Sequence, residues 1–133
     1  MPRSVCDRRS SEQGSATVTT LVAFGLFLIF FTMFAQFAVW QYGRGAVRSA
    51  ALEAARAAAP LEAVSGACER RFDDVTSGLL GGALGEQVSA PRCDLGPDVV
   101  VVSADVQFEP WLPISPEWSF TVTATATREV APG

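Results

Sequence analysis

Residues 16–40 read ATVTTLVAFGLFLIFFTMFAQFAVW, an uncharged run whose most polar group, Gln36, lies near its end. As a helix rising 1.5 Å per residue, the run reaches about 37 Å, enough to cross a hydrocarbon core of about 30 Å with some tilt. Phe24, Phe27, Phe30, Phe31, Phe34 and Phe37 make it apolar on every side. A chain of 133 residues has too little other mass to surround such a helix, so a retained membrane helix is expected. Trp40 and Tyr42 close the run, where aromatic side chains favour a membrane–water interface. The alternative is a cleaved secretory signal. Its apolar core spans only about 7–15 residues and ends in small residues. Here the run is too long, and Phe37 interrupts the small-residue pattern around Ala35 and Ala38.

Composition narrows the chemistry. The chain is 49% hydrophobic and 18% charged, with a net charge of −4 and a pI near 4.7. Residues 44–133 carry seven Arg against twelve acidic residues, whereas residues 1–43 carry three Arg against Asp7 and Glu12. With no basic cluster, direct nucleic-acid binding is not expected. The absence of His excludes a His-ligated metal and a His general base. All ten basic residues are Arg, which excludes Schiff-base and P-loop lysine chemistry.

Arg3, Arg8 and Arg9 precede the apolar run and Arg44 and Arg48 follow it, a balance that favours a cytoplasmic N-terminus. Cys6 stands alone upstream, while Cys68 and Cys93 form an even pair downstream, suited to a disulfide in an oxidising space. Such a bridge closes about 26 residues and contributes roughly 3.5 kcal/mol in the chain-entropy description. The alternative is three free buried thiols.

Beyond the apolar run, residues 44–59 (RGAVRSAALEAARAAA) have the high helix propensity of an Ala-rich segment. Val47, Ala50, Ala51, Ala54, Ala57, Ala58 and Leu61 recur at helical spacing and define a small-residue face, with Arg48, Glu53 and Arg56 mostly opposite. Pro60 ends or kinks this helix. An unbroken helix from Ser15 to Ala59 is about 68 Å long, and the Gly43 and Gly45 pair is its expected point of flexure. A second amphipathic helix is expected over residues 61–84, with Val64, Cys68, Phe72, Val75 and Leu79 on its apolar face and Gly81 and Gly82 as a stop.

The last third changes period. Val100, Val102, Ala104, Val106 and Phe108 alternate with polar residues, as do Trp118, Phe120, Val122, Ala124 and Ala126. That alternation predicts two half-buried strands, joined across Pro110, Pro113 and Pro116 as an antiparallel hairpin with a long loop. A two-stranded sheet alone is marginal, so its apolar face must cover the two helices. Trp111 and Leu112 in the loop, with Trp118 at its end, are candidates for capping the sheet or contacting a partner.

Two patterns invite catalytic or ligand-binding readings and do not sustain them. The run GLLGGALG lacks the preceding strand and following Lys of a phosphate loop. Asp73 and Asp74, adjacent on a helix, point apart, while Glu109 and Glu117 flank the loop with no nucleophile, metal cluster or oxyanion motif beside them. Solvated surface charge is the expected role of all four, and no catalytic residue, cofactor, metal or small-molecule substrate is expected.

The order of these parts resembles a known family. RRSSEQGSATVTT followed by a long apolar run looks like a class III signal sequence of the type IV pilin kind. GSATV at residues 14–18 and AALEAARAAA at residues 50–59 are similar to the TadE/TadF-like minor pseudopilins of tight-adherence (Flp) pilus systems. The downstream Cys pair and the final FTVTATATREV resemble actinobacterial members. The resemblance implies cleavage between Gly14 and Ser15 by a prepilin peptidase and a pilin-like α+β fold anchored in the membrane. It implies a cytoplasmic leader (1–14), a transmembrane helix (15–43) and an extracytoplasmic domain (44–133). Family members carry Glu at the fifth mature position, where it pairs with a neighbour's amine during assembly; here that position is Thr19. A carboxylate in hydrocarbon must pair, and Thr19 has no such need, which points toward a membrane-resident assembly or priming role.

The leading expectation is therefore a non-enzymatic minor pseudopilin-like component of a tight-adherence pilus or related secretion machine, located in the cell membrane. Its partners are membrane lipid, the prepilin peptidase and other pilus subunits. Gly25, Ala35, Gly43 and Ala46 are the small residues that permit close helix approach, although they form no clean GxxxG motif. The alternative is a single-pass anchored binding module unrelated to pili, recognising an envelope ligand through the loop between Trp111 and Trp118.

Overall fold

The computed structural model describes residues 8–110 and 117–128, with side chains from residue 16 onward. It has helices α1 (Arg8–Ala58) and α2 (Ala67–Leu79), a short 3-10 helix (Gly82–Gln87), and strands β1 (Arg92–Leu95), β2 (Val99–Phe108) and β3 (Trp118–Thr127). The strands form one antiparallel sheet in the order β1-β2-β3. The fold is α+β, and the chain divides into two units, Met1–Phe37 and Ala38–Gly133.

In the first unit, the large apolar side chains of α1 are exposed, among them Leu21, Phe24, Phe27, Phe30, Phe31 and Phe34. One helix near the N-terminus is thus long and apolar enough to cross a membrane. Two of its hydroxyls bond back to the helix itself. Thr20 Oγ1 donates to the Ala16 carbonyl at 2.9 Å, and Thr32 Oγ1 donates to the Leu28 carbonyl at 2.8 Å. Such back-bonding spares a hydroxyl the cost of an unmet bond in an apolar medium.

The second unit is built on the Ala-rich part of α1. Ala46, Val47, Ala50, Ala51, Ala54, Ala55 and Ala58 are buried in one core with Val100, Val102, Ala104, Val106 and Phe108 of β2 and Val122 and Ala124 of β3. The inward side chains of the alternating strands thus share their core with a face of methyl groups on α1. Ala57 is only half-buried and Leu61 is exposed, because α1 ends at Ala58 and Leu61 no longer follows the helical face. α1 stays helical through Gly43 and Gly45. Gly43 and Ala46 are buried within this unit, so they are not free for close approach by another helix.

α2 is shorter than its periodicity suggests. Gly66, with φ 77°, caps its start in the left-handed region, and a separate 3-10 helix follows its end. Its buried face is Cys68, Phe72 and Thr76, continued by Leu80 just beyond its last turn, whereas Val64 and Leu79 are exposed. The sequence pattern placed Val64 on this face, but Val64 lies in the turn before Gly66 and outside the helix. Arg56 and Arg71 both reach Glu53, at 3.3 and 3.2 Å, linking α1 to α2 at the surface.

The sheet has three strands rather than the two of a hairpin. β1 pairs with Val100–Ser103 of β2 through a tight turn in which the Gly96 N–H donates to the Val99 carbonyl at 3.0 Å. β2 and β3 pair one-to-one along ten residues each, from Val99↔Thr127 to Phe108↔Trp118, without a bulge. Cys68 and Cys93 are bonded, with their Cα atoms 6.4 Å apart, and tie α2 to β1.

Candidate interaction surface

The aromatic residues of β2 and β3 are gathered at one end of the sheet. Phe108 and Trp118 face each other as the last pair of the ladder, and Phe120 follows two residues on. This end packs on one turn of α1. The Trp40 ring meets Trp118 edge-on at 5.6 Å and Phe120 edge-on at 5.9 Å, while Phe108 lies 5.9 Å from Phe120. Edge-to-face rings of this kind add about 0.5–1.5 kcal/mol each beyond burial. Arg44, one turn along α1, holds its guanidinium 5.5 Å from the centre of the Trp40 ring. Tyr42 donates its hydroxyl to the Leu79 carbonyl at 3.0 Å, fixing α1 to the end of α2.

The other face of the sheet is polar. Thr121, Thr123, Thr125 and Thr127 alternate outward along β3 and are exposed. Asp105 anchors a small network there. Its carboxylate accepts from Thr121 Oγ1 at 2.6 Å and from Arg92 Nη2 at 2.9 Å, and its N–H donates to Ser89 Oγ at 2.9 Å. Among the described residues β3 pairs with β2 only, so its second edge offers ten residues of backbone with no charge and no Pro. Protected edges usually carry a charge, a Pro or a bulge; this one has none and is suited to strand addition.

A groove of about 1100 Å³ runs between the 3-10 helix and the aromatic end of the sheet. Glu86, Asp105, Glu109 and Glu117 line it, with Ser89, Ser119 and Thr121. Glu109 and Glu117, which flank the loop in sequence, both line this groove. There is no Cys among its described lining residues, and the Thr121 hydroxyl in it is held by the Asp105 carboxylate, which also takes Arg92. Glu69 approaches the two cysteines, but sulfurs bonded to each other are not thiolate ligands for a metal.

The remaining sequence candidates fall in different places. Gly14 and Ser15 lie in the backbone of α1 before the exposed apolar run, and Thr19 is exposed on it. Trp111 and Leu112 lie outside the described residues. Trp118 is half-buried, with part of its ring spent on Trp40. Sequence reasoning did not pick out the partnership of Trp40 with Trp118, nor that of Gly43 with Phe108. The available signal was the gathering of every strand aromatic at the loop end of both strands. Comparison with known protein families, curated proteins and solved structures finds no match for this chain.

Proposed function

We propose that the chain is a single-pass membrane protein acting as a non-enzymatic, minor pseudopilin-like component of a tight-adherence pilus or a related secretion machine. α1 carries this reading. One helix presents exposed, uncharged side chains over residues 16–35 and then a buried Ala face from Ala46 to Ala58 beneath an antiparallel sheet. A Gly-Ser step precedes the apolar part, at the place the resemblance assigns to processing. The apolar part serves as anchor, and the Ala-rich part is the spine of the outer domain. The unblunted edge of β3 and its Thr face are surfaces on which other subunits dock. The bridge between Cys68 and Cys93 suits an extracytoplasmic location for that domain.

A second reading, an anchored binding module unrelated to pili, draws on Thr19 and on the carboxylate-lined groove. The two are separated by deleting the gene and imaging the host's surface filaments. Loss of filaments, restored by the intact chain, supports the pilus component. Normal filaments in the deletion strain contradict it.

A further inference from the structure

We propose that the aromatic end of the sheet, formed by Trp40, Trp118 and Phe120, is a lipid-facing surface that seats the outer domain on the bilayer interface. The inference rests on reading residues 16–40 as a membrane helix. Trp40 closes that run and marks the level at which hydrocarbon gives way to headgroups. Both strand ends flanking the connection between β2 and β3 are held at the same turn of α1, Trp118 against Trp40 and Phe108 against Gly43. The end of the sheet is thereby fixed within ring-contact distance of the residue where the apolar run ends.

Its composition is that of an interface rather than of a solvated strand end. The ladder is aromatic where it meets Trp40 and carries only Val, Ala and Thr over its last three pairs at the far end, Val99↔Thr127 to Val101↔Thr125. Trp40, Trp118 and Phe120 are each half-buried rather than enclosed among the described residues. Tyr42 is 56% exposed on the next residues of the helix. Arg44 beside Trp40 supplies a cation whose long apolar stem reaches a phosphate level without burying its charge. Trp and Tyr combine an apolar body with a polar tip and gain most at the headgroup boundary. Glu109 and Glu117 are exposed at the same end, so the attraction is aromatic and not electrostatic. Anionic lipid is not required for it.

The test uses the full chain in phosphatidylcholine vesicles and two single-tryptophan variants. Trp40→Phe with Trp111→Phe leaves Trp118 as the reporter, and Trp111→Phe with Trp118→Phe leaves Trp40. Emission is measured with lipid brominated high on its acyl chains and, separately, with aqueous iodide. We expect brominated lipid to quench Trp118 to an extent comparable with Trp40, and vesicles to shield both from iodide. Quenching of Trp40 by lipid but of Trp118 only by iodide overturns the seating proposal and leaves the membrane helix intact. If lipid quenches neither, the membrane reading fails and this proposal fails with it. Should a double variant not fold, the lipid-quenched emission of wild type minus that of the single Trp118→Phe variant gives the same quantity. A zero difference overturns the proposal.

Discussion

The Phe108 ring occupies the space a side chain at Gly43 would need: a Cβ built there lies 2.5 Å from Cζ and 2.6 Å from Cε2 of Phe108. Gly45, two residues on, has nothing within 4 Å of the same construction. The two glycines therefore respond oppositely to Ala. Gly45→Ala gains helix propensity and raises stability by up to about 1 kcal/mol. Gly43→Ala gains the same propensity but pushes Phe108 off Phe120, for a net loss of about 1–2 kcal/mol. Thermal unfolding of both variants in detergent checks this; a Gly43→Ala chain as stable as Gly45→Ala rejects the close contact.

The bond between Cys68 and Cys93 spans a sequence separation of 25 and joins α2 to the short β1. Removing it by Cys68→Ser costs about 3.5 kcal/mol, mostly through the freed unfolded chain. Cys93→Ser loses the same bond at a half-buried site, so it is destabilised no more than Cys68→Ser, which also buries a hydroxyl. Denaturant unfolding measures the loss, and mobility on a non-reducing gel shows whether the bond is present. Equal mobility of wild type and Cys68→Ser counts against it.

Ala54 is fully buried in the core that α1 shares with α2 and the sheet, whereas Ala57, three residues on, is half-buried. Ala54→Leu has no room and costs about 1–3 kcal/mol by overpacking. Ala57→Leu stays within about 0.5 kcal/mol of wild type, as surface changes do. Comparable melting temperatures for the two variants would mean that the Ala54 face of α1 is not part of the core.

Thr76 is 7% exposed, and among the described residues nothing hydrogen-bonds its hydroxyl. An unmet buried hydroxyl costs about 1–3 kcal/mol, and Val has nearly the shape of Thr without it. Thr76→Val is expected to stabilise the domain by roughly 1 kcal/mol. A destabilised variant in denaturant unfolding indicates that the hydroxyl is satisfied after all.

Much of this fold is legible in the sequence because its signals are long and unmixed. The apolar run, the Ala-rich segment ended by Pro60, and the two alternating strands each repeat one period over ten residues or more. β1 was not legible, because RCDL is four residues with two charges between Pro91 and Gly96, and its pairing comes from the turn at Gly96 and the bond at Cys93. Leu80 joined the core in place of Leu79 because it continues the four-residue spacing of Cys68, Phe72 and Thr76, and its N–H still donates to the Thr76 carbonyl. The interaction surface was only partly legible. Trp118 stood out as a residue type, but its partner Trp40 is 78 positions away in sequence and is brought to it only by helix–sheet packing.

The most direct test of the central claim is the intact mass and N-terminal sequence of the protein taken from host membranes, with and without the prepilin peptidase. A pilin-type precursor yields a mature chain beginning at Ser15 that appears only when the peptidase is present. A membrane-bound chain that still begins at Met1 or Pro2 in the presence of the peptidase contradicts the central claim and leaves the anchored binding module as the better reading.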